Sequence, residues 1–132
     1  MSSLSPSRAF TAWLSRLVLL ILLAPAMAFA ASTTTALSSS AGTAPVGQNI
    51  TLTATVTGSS PTGTVTFKDG GTTVGSSALS GGVATLATNS LALGSHTLSA
   101  EYAGDTNNSP STSGTAVVAI NSGTLTLSLI HI

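Results

Sequence analysis

The stretch Ile50-Thr51-Leu52-Thr53-Ala54-Thr55-Val56-Thr57 decides the fold, because apolar residues and threonines alternate through it without a break. Successive side chains of a β-strand point to opposite faces of the sheet. Threonine and valine also favour strands, since their branched Cβ atoms suit a pleated surface. The stretch therefore predicts a half-buried strand with an outer threonine face and with Ile50, Leu52, Ala54 and Val56 in the core.

The same alternation recurs on both sides of this stretch. Residues 33–37 are rich in threonine and predict a first strand, and the run 45–47 predicts a break or an edge segment. Further inward positions are expected in the strands that follow, with Phe67 in the middle of the core. These positions are Val65, Phe67, Leu86, His96, Leu98, Ala100, Tyr102, Ala116, Val118 and Ile120.

Turn-forming residues separate the predicted strands. Asp69-Gly70 and Gly81-Gly82 both favour tight hairpins, because their central positions adopt positive φ at little cost. Residues 58–63 form a turn cluster, and residues 103–114 read as a long polar loop. About seven short strands, with a turn roughly every ten residues, predict an all-β, immunoglobulin-like antiparallel β-sandwich.

Composition excludes several function classes. Charged residues are only 5% of the chain and the formal net charge is +0, so no basic patch can form and nucleic acid is not expected as a partner. The sequence has no cysteine, which excludes disulfides, thiolate metal sites and cysteine nucleophiles.

The first thirty residues predict a secretory signal peptide. Arg8 and Arg16 supply a positive region, residues 17–23 an apolar core, and Ala28-Phe29-Ala30 a cleavage site before Ala31. A cut after Ala26-Met27-Ala28 is a second option. An uncleaved membrane anchor is the alternative, but the apolar run is shorter than the roughly 20 residues that a spanning helix needs. We expect a secreted or cell-surface protein that is not inserted in the membrane after cleavage.

Residues 31–120 are the predicted domain, and within it residues 33–120 resemble the bacterial immunoglobulin-like repeat family, which occurs in tandem in large surface and secreted proteins. Four stretches carry the likeness, at 45–56, 61–70, 93–100 and 101–105, in the expected order. The resemblance implies an Ig-like fold, a modular role at the cell surface, neighbouring repeats in the same chain and no catalytic residues or cofactor.

The last residues, 121–132, have two interpretations. Residues 121–126 resemble a linker and the opening strand of a second repeat. The final six residues, 127–132, would be encoded by CTG TCT CTT ATA CAC ATC, which matches a transposon end used in sequencing libraries. A read-through artefact is the favoured hypothesis, and a genuine apolar strand is the alternative.

Few residues offer chemistry. Glu101 and Asp105 could form a carboxylate pair, and His96 with Asp105 and a serine could imitate a triad. The sequence lacks a nucleophile-elbow motif, and Phe67 and Tyr102, its aromatic residues beyond the predicted signal peptide, are both assigned inward. We therefore expect no enzyme activity.

Asp105 and Asn107 are the candidate metal ligands. Together with their polar neighbours they loosely match a calcium loop, although the loop glycine and the distal glutamate of such loops are missing. The favoured interpretation is that Asp105 holds the turn after Tyr102 by accepting hydrogen bonds from backbone amides, so we expect no bound metal. The favoured function is a non-catalytic spacer or adhesion module of an exported multi-repeat surface protein. A stand-alone binding module for a protein or glycan partner remains the second hypothesis.

Overall fold

The computed structural model describes residues 29–123. Most of the predicted signal peptide and the whole of segment 127–132 lie outside the described residues. Nine strands follow one another along the chain: β1 (Thr34–Ser39), β2 (Thr43–Pro45), β3 (Ile50–Thr57), β4 (Thr64–Asp69), β5 (Thr72–Ala78), β6 (Val83–Thr88), β7 (Gly94–Tyr102), β8 (Ser111–Thr112) and β9 (Ala116–Asn121). Between residues 29 and 123 we find no helix capable of crossing a membrane.

The strands form two sheets that pack face to face. The smaller sheet has the order β1-β3-β6, and the larger has the order β2-β9-β7-β4-β5, with β8 pairing with β7. The prediction of an all-β, Ig-like sandwich is confirmed. The strand count exceeds the expected seven because β2 and β8 are only three and two residues long, too short to show an alternation in sequence.

One strand pair of the described chain departs from the antiparallel pattern. β2 lies parallel to β9, with Thr43 opposite Ala119 and Pro45 opposite Asn121. Residues 40–42 carry the chain from the smaller sheet to the larger one without reversing its direction. β2 therefore continues the course of β1 and runs alongside the last strand.

The core lies between the two sheets and follows the predicted alternation. Ile50, Leu52, Ala54 and Val56 are all buried, with the intervening threonines largely exposed. Phe67 is 0% exposed, as is Leu98. The remaining core residues come from β2, β4, β6, β7, β9 and the loop before β7: Ala44, Val65, Ala84, Leu91, Ala100, Tyr102, Val118 and Ile120.

One predicted turn is shifted, one is confirmed, and one predicted loop contains a strand. The β4–β5 hairpin has Gly70 and Gly71 at its centre, with φ of 56° and 97°, so the turn lies one residue later than predicted. Gly81 and Gly82 form the predicted tight hairpin turn, closed by an antiparallel bridge between Ser80 and Val83, and the chain passes through it from β5 to β6 in the opposite sheet. The polar loop 103–114 contains the short strand β8.

The chain enters and leaves the sandwich at opposite ends. At the N-terminal end, Ala31 forms a parallel bridge with Asn108, beside the loops 58–63 and 79–82. At the C-terminal end, the Asn121 carbonyl accepts a hydrogen bond from the Val46 amide. The β4–β5 hairpin and the loop before β7 lie at this second end, since Gly94 pairs with Ile120 and the Gly70 amide bonds to Thr97.

Candidate functional site

At the N-terminal end, the Asp105 carboxylate is surrounded by protein donors. Oδ2 accepts hydrogen bonds from the amide and the hydroxyl of Thr62, at 2.8 and 3.0 Å, and from the Tyr102 hydroxyl at 2.9 Å. Oδ1 accepts from the Asn107 amide at 2.7 Å, and Asn108 Nδ2 approaches both oxygens. The carboxylate therefore links the β3–β4 loop to the end of β7.

This arrangement favours the ionised carboxylate. The hydrogen bond from the Thr62 amide is the largest influence and, helped by those from Asn107, Asn108 and Tyr102, holds the pKa of Asp105 well below its usual range. Burial and the neighbouring carboxylate raise the pKa of Tyr102. The Tyr102 hydroxyl also donates towards the Thr62 carbonyl at 2.9 Å, so it too contacts the β3–β4 loop.

Asn108 completes this cluster and is itself 1% exposed. Its Oδ1 accepts from the Ser59 amide at 2.8 Å, and its Nδ2 donates to the Ser59 carbonyl at 3.0 Å. A Cβ on Gly58 would lie 2.6 Å from Asn108 Oδ1, so only glycine fits there. Sequence reasoning missed Asn108, because nothing local distinguishes it from its neighbour Asn107.

The structure gives Asp105 the turn-holding role that the sequence favoured over calcium binding. Both carboxylate oxygens already accept from protein donors, and a calcium ion there would displace them. Asn107 contributes its backbone amide to this cluster. In the described part of the chain, no three histidine, cysteine, aspartate or glutamate side chains lie close enough together to hold one metal ion. The expectation that no metal binds, with Asp105 and Asn107 as the candidate calcium ligands, stays an untested prediction.

A different ionic contact closes the C-terminal end. His96, near the start of β7, has Nδ1 at 2.6 Å from Asp69 Oδ2 and Nε2 at 2.7 Å from the Ala92 carbonyl. A neutral imidazole carries one N–H and satisfies only one of these acceptors, whereas imidazolium satisfies both. The Ala92 carbonyl, followed by Asp69, raises the pKa of His96.

The hypothetical catalytic groupings are not assembled. His96 pairs with Asp69 and lies at the opposite end of β7 from Asp105, so the imagined triad is wrong. Glu101 forms an ion pair with Lys68 at 2.7 Å, while Asp105 belongs to the N-terminal cluster. The two carboxylates therefore have separate partners and do not act as a pair.

An open depression of about 560 Å³ lies beside the N-terminal cluster. It separates the β3–β4 loop from the β5–β6 turn, and its lining is uncharged: Val56, Thr57, Gly58, Ser60, Pro61, Thr62, Gly81 and Gly82. Ser60 adopts a φ of 50°, which is uncommon for a residue with a side chain.

Comparisons with known proteins agree with this architecture. No protein with a curated description matches the sequence. A similar solved structure is that of the fibronectin(III)-like modules of Clostridium thermocellum CbhA, with a TM-score of 0.55 and 22% sequence identity, covering 67% of this chain and 99% of that one. At this identity the likeness concerns the fold alone. The sequence model of the family described as "Bacterial Ig-like domain (group 3)" matches residues 35–121. By this match, the chain belongs to the group 3 bacterial Ig-like domain family.

Proposed function

We propose that this domain is a non-catalytic spacer or adhesion module of an exported, multi-repeat bacterial surface protein. Ig-like and fibronectin(III)-like modules are generally non-catalytic and typically extracellular. The chain belongs to the Ig-like family and has a fold similar to that of the fibronectin(III)-like modules. The predicted signal peptide supports export. Neighbouring repeats of the same chain are its expected partners.

The observation that carries this proposal is the parallel pairing of β2 with β9. Because the chain enters and leaves at opposite ends, tension pulls β2 and β9 in opposite directions along their common axis. Every hydrogen bond of that ladder is then loaded at once, in shear. A ladder loaded in shear resists tension better than one whose bonds break one at a time, which suits a module that links others in a row.

Further contacts extend this load-bearing path at both of its ends. The Ala119 amide bonds to the Gly42 carbonyl at 2.9 Å, and the Val46 amide bonds to the Asn121 carbonyl at 2.8 Å. At the N-terminal end, the Ala31 amide bonds to the Asn107 carbonyl at 2.7 Å. Both segments through which force would pass are therefore fastened to the body of the domain.

Single-molecule pulling on the full chain, held by handles at its two termini, tests the proposal. Ala119→Pro removes the amide that bonds to Gly42 and leaves the bonds between β9 and β7, which use the alternate residues. We expect a lower unfolding force. Ser77→Pro on β5 is the matched control, because it removes an amide directed to Val65 of β4, whereas β5 lies outside the path between the termini. It should lower the thermal midpoint and leave the unfolding force unchanged.

An equal loss of force in both variants would argue against a load-bearing role for the β2–β9 ladder. A sequencing read of the gene beyond the codon for Thr126 tests the multi-repeat part separately. Continuation into further threonine-rich repeats supports the spacer role. A stop codon after Ile132 would instead favour a free-standing binding module.

The second candidate function is binding of a protein or glycan ligand, and the depression beside Ser60 favours it. Thr57→Trp would fill this depression, whereas Thr55→Trp places the same ring on the same strand outside the lining. In a glycan-array experiment, binding that Thr57→Trp abolishes and Thr55→Trp retains would support this function. Absence of binding by the wild-type protein would speak against a glycan ligand.

A further inference from the structure

The residue that follows the first predicted cleavage site is part of the fold. Ala31 forms a parallel bridge with Asn108. The Ala31 amide donates to the Asn107 carbonyl at 2.7 Å, and the Ala31 carbonyl accepts from the Ser109 amide at 2.8 Å. One residue earlier, the Ala30 carbonyl accepts a longer hydrogen bond from the Ser109 hydroxyl, at 3.4 Å. The peptide group between Ala30 and Ala31 therefore has both its N–H and its carbonyl directed to protein partners.

Thr33 fastens the same segment two residues further along the chain. Its hydroxyl lies 2.7 Å from the Ser109 carbonyl and 2.7 Å from the Ser111 hydroxyl. Its methyl group packs against the β3–β4 loop, since a Cβ on Gly58 would lie 2.8 Å from Thr33 Cγ2. Residues 31–33 are thus attached to two loops before β1 begins at Thr34.

These contacts occupy the backbone groups that a protease would need. An extended peptide binds to another protein by pairing its backbone N–H and carbonyl groups as an added strand. Those of Ala31 are already paired with the loop 103–114, so an enzyme reaches them only after the segment detaches. The second predicted cut precedes Phe29, two residues before the bridge, and the Phe29 side chain is 87% exposed. The bridge therefore shields the bond before Ala31 and does not include the bond before Phe29.

We propose that folding of this domain closes the Ala30–Ala31 bond to hydrolysis, so that the cut before Ala31 has to precede the docking of residues 31–33. The reaction consumes one water molecule and breaks the C–N bond. Ala30 leaves with the new carboxylate, and Ala31 keeps its nitrogen as an α-ammonium group. That nitrogen still has protons to donate to the Asn107 carbonyl, so the processed chain docks through the same contact. The proposal rests on the proposed export, because it requires the predicted signal peptide.

Cleavage of the full chain by a purified signal peptidase, in a detergent that does not denature proteins, tests this order of events. Mass spectrometry of the products shows which bond is cut and how fast. Phe67→Asp is the unfolded reference, because it places a charge at a core position that is 0% exposed and leaves the residues around both bonds unchanged. Circular dichroism checks that this variant has lost its strands.

We expect the folded wild type to be cut before Ala31 at least about tenfold more slowly than Phe67→Asp, because cleavage waits for local opening. Cleavage before Phe29 should differ less between the two chains. Thr33→Val removes the hydroxyl contacts and keeps the branched shape, so it should raise the rate before Ala31 in the folded chain about fivefold. Thr34→Val is the matched control, because Thr34 is the adjacent threonine and is exposed on β1.

Three results would overturn the proposal and leave export intact. They are equal rates before Ala31 in the folded and unfolded chains, equal slowing at the two bonds, and equal effects of the two threonine variants. Both threonine variants should be cut at the wild-type rate when combined with Phe67→Asp, because no docked segment remains to be released. Absence of any cut in the unfolded chain would overturn the proposal and the predicted signal peptide together.

Discussion

The two ends of the sandwich are closed by ionic contacts of opposite design. At the N-terminal end a carboxylate, Asp105, collects hydrogen bonds from two loops. At the C-terminal end an imidazole, His96, lies between two acceptors, Asp69 and the Ala92 carbonyl. The chain has no cysteine, so no disulfide can join these loops. At each end, hydrogen bonds to the side chain of one ionisable residue connect them instead. The Asp105 contacts should therefore weaken as the pH falls, and the His96 contacts should weaken as the pH rises.

The largest expected effect comes from Asn108→Ala at the N-terminal end. The substitution removes the contacts to Ser59 and to Asp105 and leaves a cavity, so we expect a loss of about 3 kcal/mol in the free energy of unfolding. Urea denaturation measures it. The neighbouring Asn107→Ala is the matched control, because Asn107 is exposed and contributes its backbone to the cluster. A similar loss in both variants would contradict the central role given to Asn108.

The second-largest effect is expected from acid, which should weaken the Asp105 contacts at the N-terminal end. The pKa of Asp105 is lower in the folded protein than in the unfolded chain, so its contribution is present above about pH 4 and is lost as the pH falls further. Asp105→Asn should be less stable at neutral pH and should lose less on acidification. Denaturation midpoints between about pH 7 and pH 2 measure this. Glu101→Gln, which removes a carboxylate bound to Lys68, should retain the wild-type acid loss.

The smallest effect, with the opposite sign, is expected at the C-terminal end. The pKa of His96 is raised in the folded protein, so its contribution is complete below about pH 6.5 and is lost as the pH rises through the folded-state value. We expect the wild type to lose on the order of 0.5 kcal/mol between about pH 6 and pH 9, since His96 is partly exposed. His96→Gln should remove this slope. An unchanged slope in that variant would show that His96 does not supply it.

The sheets were predictable because their signal is local. The alternation in residues 50–57 and 96–102 fixes which side chains lie in the core, and the structure buries Leu52, Leu98 and Tyr102 accordingly. The parallel course of β2 was not predictable, since three residues show no period. The β5–β6 turn was recognised from its glycines, but only the packing of Leu86 against Gly75 and β3 shows that β6 belongs to the other sheet.

The two ionic clusters were only partly predictable. Asp105 was recognised as a turn residue because one of its amide partners, Asn107, is close in sequence, whereas its bond from the Thr62 amide spans 43 positions and was not predicted. The His96–Asp69 contact joins residues 27 positions apart and depends on the register of β4 against β7, which pairs Asp69 with Leu98. Asp105 is nearer to His96 along the chain than Asp69 is, but it lies beyond the far end of β7.

The scarcity of charge has a consequence for resistance to proteolysis. Lys68 is the one lysine or arginine that follows residue 16, and it lies on β4, between β5 and β7 in the larger sheet. A trypsin-like protease would therefore have one bond to cut beyond the predicted signal peptide, Lys68–Asp69, in a strand hydrogen-bonded on both sides. Such an enzyme cleaves extended segments that are not held in a sheet. Cleavage at Lys68 therefore requires that the domain first unfold around β4. The lifetime of this protein among trypsin-like proteases would then be set by how rarely it unfolds.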